Sequence, residues 1–84
     1  MRLLLIEDND RLSEFLEKGL SDAGFAVDRA GSFAEASAAF DASRFDAVIL
    51  DLGLPDGDGL VLLKERRGAG DRTPVLILTA RDGL

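Results

Sequence analysis

Ala47-Val48-Ile49-Leu50-Asp51-Leu52-Gly53-Leu54-Pro55-Asp56-Gly57-Asp58-Gly59 is the stretch that decides the fold. Its first four residues are a continuous apolar run, the pattern of a strand covered on both faces and not of a half-exposed one. The run ends in Asp51 and a glycine-rich loop, which places an acidic side chain where buried strand gives way to accessible backbone. Two more apolar runs end in polar groups: Leu3 to Ile6 closes on Glu7-Asp8, and Val75 to Leu78 closes on Thr79. Three strand ends of this kind imply one shared edge.

Between these strands the apolar period changes. Leu12, Phe15, Leu16, Leu20 and Ala23 recur at helical spacing, Gly24 suits a left-handed helix cap, and Phe25 to Ala30 reads as a weaker, alternating strand. Ser32-Phe33-Ala34-Glu35 has the form of a capping box and starts an alanine-rich helix to about Ser43, with Phe33, Ala36 and Phe40 on one face. The deciding strand runs from about Asp46 to Asp51. A third helix begins near Gly59 and is stopped by Gly68-Ala69-Gly70, after which Thr73-Pro74 introduces the last strand, Val75 to Leu78. Strict alternation of strand and helix implies parallel strands, right-handed crossovers and an open α/β sheet with helices on both faces. Ligands of such sheets bind outside the carboxyl ends of the strands, the edge that carries Glu7, Asp8, Asp51 and Thr79.

Composition removes several classes of function. The 84 residues contain neither cysteine nor histidine, so a disulfide framework, a thiolate metal site and the usual zinc hydrolase or cysteine protease chemistry are excluded. A net charge of −6 disfavours nucleic acid and anionic membrane and favours cations. No apolar stretch spans a bilayer and no secretory h-region precedes Glu7, so a cytoplasmic location is expected. A chain this short makes one domain at most, with a thin stability margin.

Chemistry then follows from the acids. At about 4 Å and an effective dielectric near 20, each carboxylate pair repels by roughly 4 kcal/mol, so a clustered trio raises its own pKa values or gathers a cation. All-oxygen ligation suits Mg²⁺, which takes one or two carboxylates and bridges to phosphate. The backbone carbonyl of Gly53 is a further candidate ligand. With charge neutralised in this way, Asp51 is placed to attack a phosphoryl group and form an acyl phosphate, and Thr79 to hydrogen-bond a phosphate oxygen.

Leu4-Leu5-Ile6-Glu7-Asp8, Asp51-Leu52-Gly53-Leu54-Pro55 with Asp58-Gly59, and Leu78-Thr79-Ala80-Arg81-Asp82 together resemble the receiver domains of bacterial two-component response regulators, over the whole chain. The resemblance implies a flavodoxin-like sheet of order 2-1-3-4 and a phosphoacceptor switch that is not an enzyme beyond assisting its own phosphorylation and dephosphorylation. It implies Asp51 as phosphoacceptor, Asp8 as a direct Mg²⁺ ligand, Glu7 as an acidic pocket residue acting mostly through water, Gly53 as a carbonyl ligand and Thr79 as the switch hydroxyl. It also implies a sensor histidine kinase as partner.

The segment from Asp71 to Asp82 is similar to regulators that carry a C-terminal winged-helix DNA-binding domain. DNA contact is thus expected of a parent protein and not of residues 1–84. Against the family's pattern, residues 1–84 read as an incomplete receiver domain from which the fourth helix, fifth strand and fifth helix are missing, along with the Lys that would pair with phosphate. The fourth strand is then an exposed apolar edge, and self-association through it is expected. The alternatives are a phosphorylation-independent interaction module that keeps the fold, and a haloacid dehalogenase-type phosphatase. The latter is disfavoured because its second Asp is here Gly53.

Overall fold

A computed structural model describes residues 1–78. Its elements run β1 (Arg2–Ile6), α1 (Asp10–Asp22), β2 (Ala26–Ala30), α2 (Phe33–Ala42), β3 (Ala47–Asp51), β4 (Gly53–Leu54), β5 (Gly57–Asp58), α3 (Gly59–Gly68) and β6 (Val75–Leu78). The helix boundaries follow local chemistry. Asn9 Oδ1 accepts the Leu12 N–H at 3.0 Å, Ser32 Oγ that of Glu35 at 3.1 Å, and Asp58 Oδ1 that of Leu60 at 2.8 Å, each relieving an orphan donor of a first turn. Gly24 (φ +99°) and Gly70 (φ +88°) turn the chain out of α1 and α3 in the left-handed region. The expected capping box is modified, because Glu35 Oε1 reaches back to the N–H of Gly31 at 2.7 Å instead of that of Ser32.

The main sheet has the order β2-β1-β3-β6, all parallel. This is the expected 2-1-3-4 once β6 is recognised as the fourth long strand. Because the first crossover moves one way along the sheet and the later two move the other, right-handedness puts α1 on one face and α2 and α3 on the opposite one. Leu4, Ile6, Val48 and Leu50 point to the α2/α3 face and form the core with Ala30, Ala36, Leu54 and Leu62, flanked by Phe33, Phe40 and Leu63. Leu3 and Leu5 alternate to the other face and are buried there.

Two features depart from expectation. The glycine-rich segment after Asp51 is a small antiparallel hairpin, with Gly53 opposite Asp58 and Leu54 opposite Gly57, and not an irregular loop. The buried seam of α1 runs through Ser13, Leu16 and Leu20, leaving Leu12 37% and Phe15 75% exposed. The Ser13 hydroxyl takes the inner position because it donates to the Glu7 carbonyl at 3.1 Å, satisfying a buried acceptor that an apolar side chain would orphan.

Candidate functional site

Register alone brings the acids together. Ile6 pairs with Leu50 across β1 and β3, so the next residues along the parallel strands, Glu7 and Asp51, leave the sheet at one level. The β1 end is held by the Glu7 N–H donating to the Ala30 carbonyl at 3.0 Å. Glu7, Asp8 and Asp51 each offer a carboxylate oxygen, and these oxygens lie within 4.8 Å of one another.

The environments of the three differ. Glu7 is only 6% exposed, Asp51 is half-buried and Asp8 is exposed. Burial pushes the Glu7 carboxyl above its ordinary pKa, and the charges of Asp51 and Asp8 push it further, against the N–H of Asn9, which donates to Oε2 at 3.0 Å. Asp51 Oδ1 accepts the Gly53 N–H at 3.4 Å. Among the described residues none of the three carboxylates forms an ion pair with a basic side chain. Three oxygen donors with no counter-charge are a fit for a hard divalent cation. A spread of up to 4.8 Å among the three oxygens would let such an ion be held by two of the carboxylates directly and by the third through water.

Backbone packing below the acids is tight. The Gly59 N–H donates to the Leu52 carbonyl at 3.0 Å, and a Cβ at Gly59 would lie 2.8 Å from the Asp51 carbonyl oxygen. Of the residues expected at the site, Glu7, Asp8 and Asp51 converge and Gly53 adjoins them in β4, while Thr79 lies outside the described residues, as does Arg81. A cavity of about 460 Å³ lies away from the acids, where Arg44, Arg66 and Arg72 meet Asp71. There Arg66 pairs with Asp41 at 3.3 Å and with Asp71 at 3.6 Å.

Sequence reasoning did not find Asp56. Its carboxylate accepts the N–H groups of Phe33 (2.6 Å) and Ala34 (3.1 Å), and these bonds hold its pKa below the ordinary value.

Comparison with known proteins places this arrangement. The family model described as the response regulator receiver domain matches residues 3–84. The transcriptional regulatory protein PmrA of Pectobacterium parmentieri is 51% identical over 82 residues, 98% of this chain and 37% of PmrA. QseB of Escherichia coli O157:H7, also a transcriptional regulatory protein, is 49% identical over the whole chain and 38% of its own length. The chain therefore spans well under half the length of these curated relatives. Among solved structures, the response regulator TrrA of Thermotoga maritima in complex with Mg²⁺ and BeF superposes with a TM-score of 0.90 at 30% identity, over 98% of this chain and 71% of TrrA. TrrA in complex with the histidine kinase ThkA gives 0.88 at 31% identity, over 96% of this chain and 70% of TrrA.

Proposed function

The chain belongs to the response regulator receiver domain family, and from that premise we propose that it is a phosphoacceptor switch module in which Asp51 takes a phosphoryl group from a sensor histidine kinase. The observation that carries this reading is the convergence of Glu7, Asp8 and Asp51 within 4.8 Å, with no basic ion-pair partner among the described residues. Asp8 and Asp51, the Gly53 carbonyl and, through water, Glu7 are the groups that would hold Mg²⁺. The ion supplies charge neutralisation between acceptor and phosphoryl oxygens.

The rest is work for the chain itself. A carboxylate oxygen of Asp51 attacks phosphorus, the new O–P bond forms as the P–N bond of a phosphohistidine breaks, and the leaving imidazole nitrogen keeps that electron pair and takes up a proton from water. Glu7 fixes the end of β1, its main chain held by Ser13 and Ala30, so the acids meet the incoming group without rearrangement. Thr79 follows β6 directly, and its hydroxyl is assigned to a phosphate oxygen. Loss of phosphate to water is the turnover expected of such a module.

Residues 1–84 act as part of a receiver domain whose parent is a cytoplasmic transcriptional regulator, with DNA contact made elsewhere in that parent. Among the described residues β6 pairs only with β3, and Leu76 is 62% and Ile77 41% exposed. A second copy is therefore proposed to associate through this edge.

The test is the intact mass after incubation with acetyl phosphate and Mg²⁺. One added phosphoryl group is expected in the wild type and none in Asp51→Asn, and equal labelling of both would refute the assignment. Beryllofluoride trapping separates a formed phosphoacceptor pocket from an interaction module that has lost phosphotransfer.

A further inference from the structure

Asp56 sits at the turn of the β4–β5 hairpin, exposed, yet both its carboxylate oxygens are occupied by backbone donors 22 and 23 positions earlier in the chain. Those donors, Phe33 and Ala34, open α2, and the cap residue Ser32 spends its side chain on Glu35 instead. Packing reinforces the contact. A Cβ at Gly57 would fall 2.6 Å from Cδ2 of Phe33, so the hairpin backbone lies directly against that ring. At its other end the hairpin runs into Gly59, whose backbone rests on Asp51 and Leu52. The hairpin is thus a short strut with one foot on the Asp51 main chain and the other on the first turn of α2.

We propose that Asp56 is a positioning residue for the acidic pocket: by fastening the hairpin to α2 it sets where Asp51 and the Gly53 carbonyl stand, although it touches neither ion nor phosphoryl group. This rests on the reading of Asp51 as phosphoacceptor and Mg²⁺ ligand. Both oxygens are used, so Asp56→Asn keeps one acceptor and Asp56→Ala keeps none. Coupling is reciprocal, so occupancy of the pocket is felt at the Phe33 and Ala34 amides.

The experiment is a Mg²⁺ titration of the 84-residue chain followed by amide NMR, in wild type, Asp56→Asn and Asp56→Ala. In the wild type the amides of Gly53, Phe33 and Ala34 should shift together with one affinity. Asp56→Ala should bind Mg²⁺ about fivefold or more weakly, with Asp56→Asn between. A purely structural role would lower the melting midpoint while leaving the affinity of the folded variants unchanged, and that result overturns the proposal. Should Asp56→Ala fail to fold, Asp56→Asn carries the same comparison. If the wild type shows no Mg²⁺ response, the metal reading fails separately. Metal-free hydrogen exchange at the Gly53 amide then decides the strut: faster exchange in Asp56→Asn supports it and unchanged exchange sinks it.

Discussion

Burial of Glu7 beside two carboxylates has a thermodynamic sign. Its folded pKa is raised, so the folded state holds the proton more tightly than the unfolded chain. The metal-free protein should lose stability as pH rises from the ordinary carboxylate range through the raised folded value, with the penalty complete above it. Glu7→Gln should accordingly raise stability at pH 7 by about 1 kcal/mol, with the gain vanishing in acid, while weakening Mg²⁺ binding; denaturation curves across pH check both. Asp71 has the opposite sign. Its pKa is lowered first by the Thr73 hydroxyl and N–H, at 2.6 and 2.9 Å, and then by Arg66. Its contribution is present above the ordinary carboxylate value and is lost as pH falls through the lowered one. Thr73→Val should cost about 1 kcal/mol at neutral pH and less in acid. Gly59→Ala forces a methyl against the Asp51 carbonyl and should destabilise by about 1–3 kcal/mol, with reduced labelling of Asp51.

At the level of elements, α2 is held at its head by Ser32 and Asp56 and at its foot by Arg66 of α3, stacked 4.7 Å from the Phe40 ring and paired with Asp41 at 3.3 Å. Ser32→Ala should cost about 1 kcal/mol, measured by urea denaturation. The longer elements were legible because their signals are local and periodic: apolar runs for β1, β3 and β6, and the caps Ser32 and Gly24 for the helix ends. Glu7, Asp8 and Asp51 were legible because parallel register carries acids at strand ends to one edge. The β4–β5 hairpin was not, since two-residue strands have no period to read. Asp56 was not, since its partners lie on another element and only folding brings them near. The exposure of Phe15 was hidden for a related reason: spacing predicts a helix, but the demand of the Glu7 carbonyl for a donor put Ser13 in the seam.

For the molecule as a whole, the net charge is −6, and among the described residues the carboxylates of Glu7, Asp8 and Asp51 cluster at one sheet edge without an ion-pair partner. A divalent ion that binds only the folded state stabilises it by about 2.7 kcal/mol at a hundredfold excess over Kd. The melting midpoint should therefore climb with Mg²⁺, fall back with chelator and show little dependence in Asp51→Asn. Leu76→Lys should shift light scattering toward the monomer if copies pair at the β6 edge.

The anchoring of the hairpin at Gly59 and at Asp56 makes that stretch a gauge of fixed count. Its residues bridge two moorings whose separation the sheet and α2 set, so a change of chain length there should cost more than a replacement of its outward-facing side chains. A residue inserted or deleted between Asp56 and Gly59 should therefore strain the contact of Gly57 with Phe33 or that of Gly59 with Asp51.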